Sequence, residues 1–442
     1  MPGVISVNRP ALAIERNPVP NDRRIVIIGQ GYVGLPLAVA ASRSGRTVVG
    51  VDLDKARVDG LNAGVSPVGD VLNAELQAQL DAGRYSAAVD FGAAKDADVV
   101  VLCVPTPYHN DAPDLSYIEH AARQIGEHLT AGTLVILEST TYPGTTEEVL
   151  LPILEEASGL TGGEDLQVAF SPERIDPGNP TYGLHNTPKI VGGLTPEATE
   201  RAQRFYEGFV ETVIPVSGPK SAEMAKLLEN TFRHINIALV NELAVLCQDL
   251  GVDVWEVIDA AASKPFGFMP FYPGPGVGGH CIPVDPMYLS WRVKQFGGAA
   301  KFIDLARDVN AGMPLYVVQR VQDLLNDRER SLKGSKILLL GVAYKPNISD
   351  MRESPALPLI EILRSKGVQI SYADPHVPVL RLEDGDSLQG VALDEQALAG
   401  ADCVIVLTHH ADVDYDYVAD HASVVFDTRR VLLDKRANVF RL

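Results

Sequence analysis

From Arg24 the chain reads Ile-Val-Ile-Ile-Gly29-Gln-Gly31-Tyr-Val-Gly34-Leu-Pro-Leu-Ala, and few folds accept such a run. The aliphatic stretch has no polar alternation, as expected of a strand covered on both faces, and the apolar stretch after Gly34 suits a helix. Glycines at those offsets turn the chain tightly from one to the other and open a parallel βαβ unit. Thr47 to Val51 supplies the next strand, which ends at Asp52, eighteen residues beyond Gly34. An acid at that place binds the ribose in dinucleotide sites. Gly29, Gly31 and Gly34, with Tyr32 and Val33 between them, leave a helix N-terminus open to a pyrophosphate. Asp52 favours NAD, because its carboxylate repels the 2′-phosphate of NADP; Arg57 is the nearby group that could accept that phosphate.

Further strand signals at Val99 to Val104, Leu134 to Leu137 and Gln167 to Phe170, with helix-compatible stretches between most of them, predict a doubly wound domain. The same logic returns later. Lys336 to Leu340 is a strand entering Gly341-Val-Ala-Tyr344-Lys345-Pro-Asn, and Ser354-Pro355 then supplies an N-cap and a first-turn proline. Val368 to Tyr372 ends at Asp374, and Cys403 to Thr408 is another buried strand. The glycine fingerprint is missing there, so this second unit is expected to hold something other than the dinucleotide. Between the two, Ser221 to Asp259 reads as one long amphipathic helix. At about 100° per residue, Met224, Leu227, Leu228, Phe232, Ile235, Leu239 and Leu246 share one face, and Lys226, Asn230, Arg233, His234 and Asn241 the other. The polar stripe reads either as a solvated face or as part of a site, and a helix of this length is a natural dimer spine. The predicted fold class is α/β: two doubly wound Rossmann-like domains joined by a long central helix and a helical middle domain.

With 442 residues, 46% hydrophobic and 21% charged, the chain can build two or three cores. A net charge of −19 argues against a nucleic acid or an anionic membrane as partner, so any phosphate ligand must meet a local basic pocket. Cys103, Cys247, Cys281 and Cys403 are too scattered for a disulfide framework, and no CxxC pair suggests a metal site. A cytoplasmic protein with free thiols is the simple reading. Residues 1–20 resemble neither a secretory signal nor a transit helix and are expected to form a flexible arm, and no apolar run approaches a membrane span.

One segment stands apart: Pro273-Gly-Pro-Gly-Val-Gly-Gly-His-Cys281-Ile-Pro-Val-Asp285-Pro. Its glycines let backbone approach a ligand, and its prolines stiffen the loop around them. A thiol offered on such a loop, with a carboxylate four residues on, is how a nucleophile is presented; a tight turn burying a thiol is the bland alternative.

Together these motifs resemble the nucleotide-sugar 6-dehydrogenases, the group containing UDP-glucose, GDP-mannose and UDP-N-acetylhexosamine dehydrogenases. The resemblance covers nearly the whole chain after residue 23. It rests on the Gly29–Pro36 fingerprint, Val104-Pro-Thr-Pro107, Glu138-Ser-Thr140, Ser171-Pro-Glu173, Lys226-Leu-Leu-Glu-Asn230, Gly276-Val-Gly-Gly-His-Cys281 with Asp285, and Tyr344-Lys345 followed by Arg352-Glu-Ser354. It implies a four-electron oxidation of a sugar C6 alcohol to a carboxylate, consuming two NAD⁺. Lys226 and Asp285, with a water, would accept the alcohol proton and stabilise the oxyanion. Cys281 would add to the aldehyde as thiolate, giving a thiohemiacetal and then a thioester. Thr140 and Glu173 would position the hydrolytic water, and Asn230 would act as a hydroxyl or oxyanion donor. The resemblance further implies that Thr106, Thr140 and Arg352 contact the cofactor. Glu173, Arg174, Lys226, Asn230, Tyr272, Gly274, Gly276, Gly278, Tyr344, Lys345 and Arg429 would hold the UDP-sugar, with Arg430 adjacent to Arg429 leaving the register open. It also implies a homodimer and three domains, NAD-binding over 21–215, central and helical over 216–318, and UDP-binding over 319–442.

Ser-Pro-Glu-Arg174 and His280-Cys281-Ile-Pro-Val-Asp285 resemble the N-acetylhexosamine branch, and the stretches Glu138 to Leu150 and Phe271 to Trp291 resemble the UDP-N-acetylglucosamine enzymes. Asp176 stands where relatives carry a second glutamate. UDP-N-acetylmannosamine and UDP-glucose are the alternative substrates. His280 is expected to pack rather than to tune the thiolate. A nucleotide-sugar binding protein that kept the fold without catalysis is the alternative of another class.

Overall fold

The computed structural model describes residues 22–176, 179, 181–279, 281–382 and 384–442. The predicted arm over 1–20 and the reading of His280 lie outside them. The chain forms two compact units. One holds the described residues up to Glu229 together with Trp291–Gly298, and the other holds Asn230–Ser290 and Ala299–Leu442.

The first unit is built on an eight-stranded sheet, in the spatial order Val213–Pro215, Lys189–Gly193, Gln167–Phe170, Leu134–Leu137, Val99–Leu102, Arg24–Ile28, Thr47–Val51 and Tyr85–Ala88. Every neighbouring pair is parallel except Gln167–Phe170 with Lys189–Gly193. Arg24–Ile28 is central because both its faces are apolar. Ile25 and Ile27 pack with Leu35 and Leu37 on one side, Val26 and Ile28 with Ile118 and Leu154 on the other. Burying each such side chain stabilises the fold by about 1.5–3 kcal/mol. Helices follow the strands, each started where its sequence allows: Asp54 accepts hydrogen bonds from the N–H groups of Ala56 and Arg57 ahead of Lys55–Asn62, and Thr195 caps Pro196–Glu207.

In the second unit Gln369–Ala373, Lys336–Leu340, Cys403–Val406, Val425–Asp427 and Val439–Arg441 lie side by side, all parallel. The helix after the first of these in sequence spans Ala356–Ser365. Ser354 Oγ accepts from Ala356 N–H at 3.3 Å, with Pro355 one place before the first helical residue. The chain is thus α/β with two doubly wound, mainly parallel sheets and a helical central region, as predicted.

The central helix corrects the sequence reading twice. It spans Pro219–Leu250 and stops, and a separate helix covers Val254–Ala262. Gly251 adopts φ +69, and Asp253 accepts from Trp255 N–H and Glu256 N–H, so a left-handed stop and an N-cap stand two residues apart inside the stretch read as continuous. Burial also cuts across the predicted faces: Leu227 of the apolar face is buried and Arg233 of the polar face is exposed, as expected, but other members are not. Lys226, His234 and Asn241 are buried, whereas Leu228, Phe232, Leu239 and Leu246 are each about half exposed.

Candidate active site

In the first unit the glycine turn is shaped for a phosphate. Gly29 holds φ +90, and a Cβ there would lie 2.4 Å from the Cys103 carbonyl oxygen. A Cβ at Gly34 would strike the Gly29 carbonyl, whereas nothing lies within 4 Å of one at Gly31, so the turn closes on itself and is open outward. Tyr32 is exposed there and Val33 begins the Gly34–Arg43 helix. Asp52 Oδ2 accepts from Gln30 N–H at 2.9 Å, and Oδ1 from Asp54 N–H at 3.0 Å. Arg57 Nη1 lies 3.0 Å from the same carboxylate, so the arginine that could have received a 2′-phosphate is paired with the acid expected at the ribose. These groups fit NAD. Thr106 Oγ1 donates to the Thr140 carbonyl at 2.8 Å, bringing two of the predicted cofactor residues together.

Beside that turn lies a buried charge cluster that the sequence reading missed. Lys189 Nζ is 3.0 Å from Glu138 Oε1 and 3.6 Å from Glu173 Oε2. Tyr206 O–H donates to Glu138 Oε1 as well. Burial opposes the charge of Lys189, but the carboxylates of Glu138 and Glu173 outweigh it and raise its pKa. Glu173 Oε1 accepts the N–H groups of Arg174 and Ile175, both at 2.6 Å, so this carboxylate is oriented by its own backbone. Arg174 in turn pairs with Glu229 at 2.7 Å. The only sequence signal for Lys189 was a charged residue opening the apolar run Ile190-Val191.

In the second unit Cys281 is half-buried and its carbonyl accepts Asp285 N–H at 2.8 Å, so the thiol stands at the start of the Asp285–Gln295 helix. Backbone N–H groups and the dipole at such a terminus favour negative charge. Asp285 is buried, and Asn230 Nδ2 donates to its Oδ2 at 2.5 Å. Lys226 stands one turn before Asn230 on the same helix. Of the predicted catalytic residues, Cys281, Asp285 and Asn230 belong to this unit, and Lys226, Thr140 and Glu173 to the other.

The glycine loop is fastened by hydrogen bonds at Gly274 and Gly279 and leaves no room for a side chain at Gly278. Gly274 N–H donates to Asn241 Oδ1 at 2.9 Å, and Asn241 Nδ2 to Asn310 Oδ1 at 2.9 Å. Asn310 lies four residues before Pro314 in the helix Lys301–Asn326, where the missing N–H leaves the Asn310 carbonyl without its helical donor. A Cβ at Gly274 would lie 2.5 Å from the Arg429 guanidinium, and one at Gly278 would lie 2.7 Å from Tyr344 Cβ. Gly279 N–H donates to the Arg352 carbonyl at 3.1 Å. Arg352 itself pairs with Asp350 at 2.5 Å and belongs to this second unit. Of the two adjacent arginines, Arg429 faces the loop and Arg430 pairs with Asp259. Burial lowers the Arg429 pKa to about 10, and Asp427 opposes that shift. Tyr272 stacks on Trp255 with ring centroids 5.7 Å apart, and Gly276 lies against Pro355. Lys345 follows Tyr344, whose N–H donates to the Asp350 carbonyl at 3.1 Å.

Models of one family match nearly the whole chain in order: the NAD binding domain of the UDP-glucose/GDP-mannose dehydrogenase family over residues 23–210, its central domain over 220–312 and its UDP binding domain over 338–435. The chain belongs to the UDP-glucose/GDP-mannose dehydrogenase family. This family member carries an NAD-binding domain and is an oxidoreductase of the UDP-sugar dehydrogenase type. It is 39% identical to an NDP-N-acetyl-D-galactosaminuronic acid dehydrogenase of Ralstonia nicotianae, over 94% of this chain and 97% of that protein. It is 38% identical to a UDP-N-acetyl-D-glucosamine 6-dehydrogenase of Pseudomonas aeruginosa, over 80% of this chain and 83% of the relative. Among solved structures it resembles the UDP-D-ManNAc dehydrogenase of Pyrococcus horikoshii with a TM-score of 0.86 and 34% identity, covering 95% of this chain and 98% of that one.

Proposed function

We propose that this family member oxidises the C6 hydroxyl of a UDP-N-acetylhexosamine to the carboxylate. The relatives named above carry three different N-acetylhexosamines in their names, so the substrate class is proposed here and UDP-N-acetylglucosamine is one candidate within it, level with UDP-N-acetylmannosamine. The observation that carries the reading is Cys281 at a helix start, with its carbonyl bonded to Asp285 N–H and the Asp285 carboxylate bonded to Asn230.

The residues divide the chemistry. Asp285 and Lys226 take up the proton of the C6 hydroxyl and hold the oxygen as charge develops on it. NAD⁺, held by the Gly29–Gly34 turn and Asp52, would supply the hydride acceptor for both oxidations at C6. Cys281 Sγ forms the C–S bond to the aldehyde carbon while the carbonyl oxygen gains a proton, and water later breaks that bond and regenerates the thiol. Glu173, held by the N–H groups of Arg174 and Ile175, orients that water together with Thr140. Alcohol, water and two NAD⁺ give carboxylate, two NADH and three protons. Asp52, with Gln30 N–H on its carboxylate, holds the adenosine ribose, and Thr106 and Arg352 contact the cofactor. Tyr344, Lys345, Tyr272, Arg429 and the Gly274–Gly278 loop receive the UDP.

The test is NADH formation with limiting UDP-N-acetylglucosamine, UDP-N-acetylmannosamine, UDP-N-acetylgalactosamine and UDP-glucose in parallel. About two NADH per N-acetylhexosamine, with UDP-glucose slow, supports the reading, since discrimination appears in kcat/KM. NADH from none of them would leave a binding protein.

The half-exposed Leu228, Phe232, Leu239 and Leu246 recur at spacings of four and seven residues along one helix, the pattern of a helix–helix seam. A second copy of the chain is the proposed cover for this stripe. All four cysteines are free thiols, which suits a cytoplasmic enzyme.

A further inference from the structure

Two aspartates occupy the same station in the two sheets, each just beyond the strand beside the one that enters the turn. Asp52 follows Thr47–Val51 and keeps some contact with solvent; Asp374 follows Gln369–Ala373 and its side chain is wholly buried. Asp374 Oδ2 accepts Val342 N–H at 2.7 Å, Ala343 N–H at 3.0 Å and His410 Nε2 at 3.1 Å, and Oδ1 accepts His376 N–H at 2.8 Å. Burial alone would raise this carboxyl, but the His410 hydrogen bond and these backbone N–H groups bring it down to about 2. The acid that faces a ribose in the first unit is here committed within the fold.

His410 is buried too, and its other nitrogen, Nδ1, accepts Asn347 N–H at 3.0 Å. A ring nitrogen that accepts carries no proton, so these partners assign the proton to Nε2, where it is donated to Asp374. The imidazole therefore ties both ends of the segment Val342–Asn347, the first two amides through Asp374 and the last directly. Asn347 holds φ +62, a left-handed conformation that needs such fastening, and its Oδ1 accepts Ala411 N–H at 2.8 Å. Thr408 Oγ1 adds a bond to the Ala343 carbonyl at 2.7 Å. Between the tied ends stand Tyr344 and Lys345.

We propose that His410 is a positioning residue for nucleotide-sugar recognition: its Nε2-protonated ring, bridging Asp374 and Asn347 N–H, holds the Tyr344–Lys345 loop in the shape that receives the uridine diphosphate. The proposal rests on the reading above that this loop takes the UDP moiety. It also explains why a doubly wound unit without the glycine fingerprint can hold a nucleotide diphosphate: the turn is shaped by a buried Asp–His bridge instead.

The test is calorimetric titration of UDP and of NAD⁺ into the full-length wild type, His410→Leu and His410→Gln, with steady-state kinetics on whichever UDP-sugar turns over. His410→Leu is expected to weaken UDP about tenfold and to raise KM for the UDP-sugar about as much, with kcat at saturation within about twofold and NAD⁺ affinity unchanged. His410→Gln, which can present both a donor and an acceptor, is expected to recover most of the UDP affinity. A merely structural role would lower kcat and NAD⁺ affinity together with the melting temperature, and that result overturns the proposal, as does unchanged UDP affinity in a folded His410→Leu. Wild type that binds no UDP overturns the reading of the loop and this proposal with it. Should the variants not fold, nitrogen-15 spectra of the wild-type histidines decide: a neutral His410 ring protonated on Nε2 supports the bridge, and a ring protonated on Nδ1 sinks it.

Discussion

Asn230 donates its side-chain N–H to Asp285 Oδ2 at 2.5 Å, so a residue of the long central helix and the first residue of the helix after Cys281 are joined. Asp285 is buried, and the loss of a hydrogen bond to a charged group costs about 1.5–3 kcal/mol. Asn230→Leu is therefore expected to lower kcat by about 10²–10³ while changing NAD⁺ affinity little. Stopped-flow measurement of the first hydride transfer checks it, and a normal first transfer would remove Asn230 from the oxidation step.

Gly278 tests the loop by volume alone, because its backbone is not in the left-handed region. A Cβ there would lie 2.7 Å from Tyr344 Cβ and 2.8 Å from the Glu353 carbonyl oxygen, so something must move. Gly278→Ala is expected to cost about 1–3 kcal/mol of packing and to raise KM for the UDP-sugar more than it lowers kcat. Equal losses in both would place the strain at the thiol instead.

Cofactor choice turns on the Asp52–Arg57 pair, 3.0 Å apart. Asp52→Ser removes the repulsion and frees the guanidinium. The expected result is a loss of about tenfold or more in kcat/KM for NAD⁺ with a gain for NADP⁺. Adding Arg57→Ala should abolish the gain, and a gain that survives it would point to another phosphate donor.

His234 gives the fold an acid limit. It is buried with neither ring nitrogen hydrogen-bonded among the described residues, and burial lowers its pKa from 6.5 to about 4. Between those values the unfolded chain binds a proton that the native one does not. The stability from neutral His234 is thus complete above about pH 6.5 and is lost as the pH falls toward 4, by roughly 3 kcal/mol in all. Asp374 adds its own loss only at lower pH, between its ordinary 3.8 and about 2. Urea unfolding at pH 7 and pH 5 should show a smaller drop for His234→Leu than for the wild type; equal drops would exclude His234 as the cause.

The strands around Arg24–Ile28 and Lys336–Leu340 were legible because unbroken aliphatic runs bounded by glycine have few other solutions. Lys189–Gly193 was not, since it pairs antiparallel to its neighbour and opens with a lysine whose burial depends on Glu138, far away in sequence. The central helix shows the limit of periodicity. A pattern with two distinct faces tells how residues divide, not which face meets protein, and here Asn241 is buried because Gly274 N–H and Asn310 satisfy it. The stop at Gly251 was available in the sequence, with Asp253 as the next cap, but apolar residues on both sides masked it. Cys281, Asp285 and Asn230 were legible as motifs; the amide bridge under the loop and the Asp374–His410 pair were not, because such contacts join residues that no spacing rule connects.

Cover of the Leu228, Phe232, Leu239 and Leu246 stripe by a second copy, as proposed above, would make dilution a denaturant in its own right. If another copy covers it, each tenfold fall in protein concentration removes about 1.4 kcal/mol of association free energy, so the melting temperature becomes a function of how much enzyme is in the tube. Activity per molecule in a dilute assay and in a crowded cell would then differ, with no change in any residue that touches the sugar.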